Sequence, residues 1–250
     1  MLPRPALPAL LLATLALTAC APGDTAPARG SAAGAASVVA PGPWREVGER
    51  VAAFVEREMA AKDIPAMSVA LVDGDEVVWA RGFGYEDLTD SVAADAATVH
   101  RVGSVSKLFT DIAVMQLVEA GRVDLDAPAS TYVPDVRPRN PYDREPTLRQ
   151  LMTHRSGFVR EPPVGNYFDH TAPSLAATVR SLNETALVYE PEARVKYSNA
   201  AVATVGYALE TLSGRPFAEA LETAVLDPLG MDDSAFEPRP GIVDRLADAV

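Results

Sequence analysis

The sequence predicts an α/β fold of the α+β kind, with an antiparallel sheet flanked by helices beside an all-helical region. Three observations carry that reading. Two runs, Ala66 to Val72 and Glu76 to Gly82, flank Asp73-Gly74-Asp75, a turn that suits a β-hairpin. Ahead of them Trp44, Val47, Val51, Phe54 and Val55 recur at helical spacing on a charged background. Beyond them the apolar positions keep helical spacing in five further segments, starting with Ser104 to Ala120.

The chain opens with a different kind of segment. Arg4 is followed by an apolar run from Ala6 through Leu17 and then by Thr18-Ala19-Cys20. The run is short for a membrane span, which needs about 20 residues. Residues 1–19 therefore predict a cleavable export signal rather than part of the fold. Small residues before the only cysteine resemble a bacterial lipobox, and by that resemblance Cys20 would be the lipidated first residue of the mature protein. Residues 20–43 are mostly Ala, Gly, Pro, Ser and Thr, too poor in bulky side chains to offset the entropy of ordering, and predict a tether. Residues 44–250 remain as one domain.

Within that domain Pro43 to Lys62 predicts an amphipathic helix laid over the sheet. The hairpin follows, with Trp79 packed on it. Gly82-Phe83-Gly84 lacks the third glycine and the following helix that a dinucleotide site needs. Ser104 to Ala120 is apolar on nearly every face, through Val105, Leu108, Phe109, Ile112, Val114, Met115, Leu117 and Val118, and predicts a buried helix stopped by Gly121. Val133 to Thr147 and Arg160 to Pro173 are polar and rich in proline and predict surface loops bordering a cleft. Helical spacing returns over Pro146–His154, Ser174–Leu182, Asn199–Leu212 and Pro216–Leu226.

Composition narrows the function. The chain has 250 residues, 48% hydrophobic and 22% charged, enough for a substantial core. With 34 acidic and 22 basic residues the net charge is −12, which opposes nucleic-acid binding. His100, His154 and His170 are widely spaced, and with one cysteine they form no structural zinc pattern. Only three of the basic residues are lysines, Lys62, Lys107 and Lys196. An amine can be pushed into its neutral, basic form where a guanidinium cannot.

Ser104 and Lys107 lie three apart at the start of the apolar helix, so hydroxyl and amine share a face. Burial among apolar neighbours would favour the neutral amine, and the positive end of the helix would favour an oxyanion. Ser104 is thus the candidate nucleophile and Lys107 its base. Chance supplies Ser-x-x-Lys about 0.16 times in a chain of this composition, and the Tyr197-Ser198-Asn199 pattern about 0.1 times. The two together are harder to dismiss. Tyr197 and Asn199 have a plainer reading as a turn before a helix with Asn199 as its N-cap. Asp111, one turn beyond Lys107, would blunt the amine if it reached it, and is expected to pair elsewhere. His154 is expected to stitch a loop beneath the site.

Four segments in order, Arg101 to Lys107, Leu151 to Phe158, Tyr197-Ser198-Asn199 and Asp227-Pro228-Leu229-Gly230-Met231, resemble the serine β-lactamase and penicillin-binding protein superfamily. The match is to the class C β-lactamase and D-alanyl-D-alanine carboxypeptidase branch, over roughly residues 44–235. The resemblance implies a β-lactamase/transpeptidase-like fold and an envelope serine hydrolase working through an acyl-enzyme on amide, ester or β-lactam carbonyls. It implies Ser104 as nucleophile, Lys107 as its proton acceptor, and Tyr197 as proton relay to the leaving group or as a phenolate held by Lys107. Asn199 would bind substrate amide or Lys107, and the Ser104 N–H would supply half of the oxyanion hole. No cofactor and no metal are implied; the partners are a small-molecule or peptide substrate and, through the lipid alone, a membrane, the protein being a monomer. The family's third element, Lys or His, then any residue, then Gly, has no counterpart before Val250, and two strands alone are marginal. The sequence therefore reads as lacking its C-terminal strands, with a catalytically silent relative as the alternative to an enzyme.

Overall fold

The computed structural model describes residues 37–38 and 42–248, so the export signal, Cys20 and most of the tether lie outside the described residues. Ser37 and Val38 form a short strand, β1, paired antiparallel to a later strand with Ser37 opposite Arg81 and Val38 opposite Ala80. The structured domain thus reaches back into the segment that the sequence assigned to the tether. These two residues alternate with the sheet and contribute its edge.

Helix α1, Trp44–Lys62, ends at Asp63, whose left-handed backbone lets the Ile64 N–H return to the Met59 carbonyl at 3.1 Å. Ala52, Val55 and Met59 form its buried face, against Trp79 and Phe83 of the sheet. Strands β2, Ala66–Asp73, and β3, Glu76–Asp87, make the expected hairpin, with Asp73 opposite Glu76. β3 runs five residues past Gly82, the end read from the sequence, because Tyr85 N–H bonds the Pro65 carbonyl at 2.9 Å and Val92–Ala93 (β4) pairs beyond it. Among the described residues these four strands pair antiparallel, in the order β1-β3-β2 with β4 on the far end of β3.

The Gly82-Phe83-Gly84 run lies inside β3, and its glycines serve close packing. A Cβ on Gly82 would sit 2.3 Å from the Asp95 backbone, and one on Gly84, at φ +74°, would lie 2.0 Å from the Pro65 carbonyl oxygen.

Helix α2, Ser106–Glu119, starts after a single 3-10 turn, Gly103–Val105. Its surroundings differ from the expectation of a buried helix. Thr110, Ala113 and Val114 are buried, but Val105 and Leu108 are each 58% exposed and Met115 is 46% exposed. At 100° per residue those three side chains form one stripe on the flank away from Thr110, while Ile112 packs on the helical core. The sequence placed apolar residues on both flanks of α2, and among the described residues only one flank has a partner.

That partner is the helical core. Helix α3, Leu148–Met152, is opened by a capping box in which Thr147 accepts from the Gln150 N–H and the Gln150 side chain accepts from the Thr147 N–H. Helix α4, Leu175–Arg180, has Ser174 as N-cap. Helix α5, Asn199–Ser213, runs through the middle with Ala200, Ala201, Val205 and Ala208 fully enclosed. Leu148, Leu151, Val179, Leu182 and Leu221 close around it. The Pro216–Leu226 segment is helical over Phe217–Leu221 and then widens by one turn before Asp227. No helix among the described residues is long and apolar enough to cross a membrane.

Candidate active site

The two central motifs converge from different parts of the core. Ser104 sits in the 3-10 turn ahead of α2, just after Gly103, whose φ of +52° turns the chain sharply. The first bond of that turn runs from Val105 N–H to Val102 carbonyl at 3.2 Å, so the Ser104 N–H stands ahead of the helical ladder. Lys107 follows one turn later, and its Nζ donates to Ser104 Oγ at 3.1 Å.

Tyr197 arrives on the residue pair before α5. Ser198 is fully buried; its hydroxyl donates to the Val159 carbonyl at 2.6 Å and accepts from the Ala201 N–H at 2.9 Å, which makes it the N-cap. The cap role considered for Asn199 therefore belongs to Ser198, and Asn199 is the first helical residue. Buried and doubly bonded, Ser198 fixes the direction of its neighbours: Tyr197 Oη comes to 2.5 Å from Ser104 Oγ. The Lys107 ammonium lies 5.1 Å from the centre of the Tyr197 ring.

Electrostatics concentrate on the phenol. The Lys107 amine first, then the Ser104 hydroxyl and the Arg160 charge, hold the Tyr197 pKa below the ordinary phenol value against partial desolvation. The sequence predicted a deeply buried Lys107. Lys107 is only half-buried and Ser104 is exposed, because among the described residues nothing covers the apolar flank of α2 beside them.

Asn199 is in the site but not on Lys107. Its Nδ2 donates to Glu161 Oε1 at 2.7 Å and lies 3.4 Å from Tyr167 Oη. Arg160 places its guanidinium 5.3 Å from the Tyr197 ring centre. Arg160, Glu161 and Tyr167 were not singled out from the sequence individually, but all three belong to the Arg160 to Pro173 loop read there as bordering a cleft. Its geometry is reinforced by the Arg160 carbonyl, which accepts from the Asn199 N–H at 2.8 Å.

Asp111 reaches neither Lys107 nor any other partner among the described residues. Its Oδ1 is buried without a hydrogen bond, and burial raises its pKa to about 6. Among the described residues no three His, Cys, Asp or Glu side chains are grouped so as to hold a metal ion.

Comparison with known proteins identifies the family. Residues 51–250 match the Beta-lactamase family. The D-alanyl-D-alanine-carboxypeptidase/endopeptidase AmpH of Escherichia coli is 31% identical over 183 residues, 72% of this chain and 47% of that protein. The structure of EstCE1, a hydrolase with promiscuous acyltransferase activity, superposes with a TM-score of 0.73 at 25% identity, over 82% of this chain and 56% of that one. The Beta-lactamase/D-alanine carboxypeptidase of Yersinia pestis, complexed with citrate, gives 0.72 at 25% identity, over 83% and 60%. The chain spans about half the length of the curated relatives it matches.

Proposed function

Because the chain belongs to the beta-lactamase family, we propose that it forms the nucleophile-bearing part of an exported serine hydrolase in which Ser104 is acylated and then released by water. The observation that carries this reading is the three-way contact of Ser104, Lys107 and Tyr197. A serine hydroxyl is a weak nucleophile unless a neighbouring base takes its proton. The 2.5 Å contact offers Tyr197 Oη as that acceptor, and the lowered phenol pKa suits the task. Lys107, donating to Ser104 Oγ, holds the charge that develops on both oxygens.

The reaction then divides into two balanced steps. In acylation the Ser104 proton passes to Tyr197 as Oγ bonds the carbonyl carbon, and the same proton goes to the leaving nitrogen or oxygen as that bond breaks. In deacylation water gives its proton to Tyr197 and its oxygen to the acyl carbon, and Ser104 regains a proton. The Ser104 N–H, free of a helical partner, faces the developing oxyanion.

The relatives and the local charge support one substrate class. AmpH and the Yersinia enzyme are named for D-alanyl substrates and β-lactams, and EstCE1 for hydrolysis and acyl transfer. Lys107 and Arg160 place two cations around Tyr197 in a chain of net charge −12. An acyl substrate carrying a carboxylate, such as a D-alanyl peptide or a β-lactam, fits that local field, and small esters remain within reach. The export signal in residues 1–19 and the lipobox-like Cys20 support action in the bacterial envelope, on a lipid anchor.

The test is covalent labelling of the intact protein with a fluorophosphonate and with a fluorescent penicillin. Ser104→Ala should abolish both labels. Equal labelling of that variant would end the assignment.

A further inference from the structure

Tyr197 has no regular secondary structure of its own, yet its phenol must be held within a fraction of an ångström of Ser104. His154 supplies what holds it. The residue follows α3 with a positive φ of 59°, a backbone uncommon outside glycine that histidine tolerates better than most side chains. That turn aims two acceptors at the extended segment carrying Tyr197. The His154 carbonyl accepts from the Lys196 N–H at 2.8 Å, and its Nδ1 accepts from the Ser198 N–H at 3.3 Å. The residues on either side of Tyr197 are thus both tied to His154. Between these ties the imidazole lies against the phenol ring, with centres 4.4 Å apart and planes 37° from parallel.

The clamp is itself anchored. Arg155 N–H bonds the Gln150 carbonyl at 2.7 Å, and the Arg155 carbonyl accepts from Glu192 N–H at 2.8 Å. The same linkage is doubled by the Arg155 guanidinium on the Glu192 carboxylate at 2.6 Å.

We infer that His154 is the positioning residue for the Tyr197 phenol, acting as a neutral imidazole with Nδ1 bare. This rests on the acyl-enzyme reading above and adds how its proton acceptor is placed. A backbone N–H can only donate, so the Nδ1 facing Ser198 must accept, and the ring proton sits on Nε2. Protonation would turn that acceptor into a donor pointed at a donor. The charge acting on the ring is that of Lys107; burial first, then that charge, holds the His154 pKa below its ordinary value, while Arg160 lies over the Tyr197 ring.

A double-mutant cycle on acylation separates positioning from general scaffolding. The rate of Ser104 acylation by a p-nitrophenyl ester is measured for wild type, His154→Phe, Tyr197→Phe and the double variant, with thermal melts to confirm folding. His154→Phe keeps a flat ring and loses the acceptor. It should slow acylation about tenfold or more with KM changed less than about threefold, and it should cost nothing further on top of Tyr197→Phe. His154→Gln, which can still accept from Ser198 N–H, should recover part of the rate, and it carries the same cycle if His154→Phe does not fold. A wild-type rate in folded His154→Phe, or losses that multiply in the double variant, would overturn the inference. Either result would leave Ser104 labelling intact, whereas failure of the acyl-enzyme reading would show as a wild-type protein that is not labelled at all.

Discussion

The hydroxyl of Ser104 and the phenol of Tyr197 lie 2.5 Å apart although 93 positions separate them in the chain. Each is delivered by the residues just ahead of a different helix, and the two helices pack against each other in the same core. Removing the phenol oxygen while keeping its ring should therefore strike chemistry and spare folding. Tyr197→Phe is expected to slow Ser104 acylation about 10²- to 10⁴-fold, the usual span for a general base, with a melting temperature close to wild type. Stopped-flow measurement of the acyl-enzyme burst checks it.

The direction of the pH dependence follows from the same phenol. Its pKa lies below the ordinary tyrosine value, with Lys107 as the first cause. Ionisation then begins at lower pH than for a free phenol, so acylation should rise with pH and level off before the ordinary tyrosine range near 10. Lys107→Met removes the leading cause and should move the rising limb of the residual rate upward in pH. Arg160→Gln should move it the same way by less. A limb that stays in place in both variants removes Tyr197 as the titrating group.

Asp111 predicts a stability effect rather than a catalytic one. Its pKa is raised from 3.8 to about 6 by burial, so the folded state holds a proton that the unfolded chain has released. The fold should thus lose stability as pH climbs from about 4 to about 6 and stay at the lower level above that. For a half-buried carboxyl, screened by solvent, the size is on the order of 1 kcal/mol. Asp111→Asn should raise the melting temperature at pH 8 and change it little at pH 3.5. Equal shifts at both pH values would show that the carboxylate charge is not the cause.

Two glycines with similar backbone angles should respond differently to a methyl group. Gly74, φ +59°, turns the hairpin with open space around it, while Gly84, φ +74°, would thrust a Cβ to 2.0 Å from the Pro65 carbonyl oxygen. Gly74→Ala should cost about 1 kcal/mol, the penalty of a left-handed backbone, and Gly84→Ala at least about 3 kcal/mol, since strain and clash add. Urea unfolding of the two variants gives the comparison directly.

Much of this was legible in the chain. The period of Trp44 to Val55, the Asp73-Gly74-Asp75 turn and the proline and serine starts of later helices place most elements to within a few residues. Ser104, Lys107 and Tyr197 were legible because they repeat local patterns whose chemistry is known. Arg160, Glu161 and Tyr167 were not, since a loop side chain reaches a site through tertiary folding and leaves no period behind. The short pairing of Ser37 and Val38 was hidden by a composition that reads as unstructured. Apolar residues around the whole of α2 were read as burial on every side, yet hydrophobicity says what a side chain would gain from cover, not whether cover is within reach.

The open flank of α2 also sets how the molecule will behave in the hand. Val105, Leu108 and Met115 make an adhesive strip beside the nucleophile, and an oily strip bared to water draws like strips together. A concentrated sample of this chain should scatter light more than in proportion to its concentration, and Leu108→Gln should bring it back toward proportion.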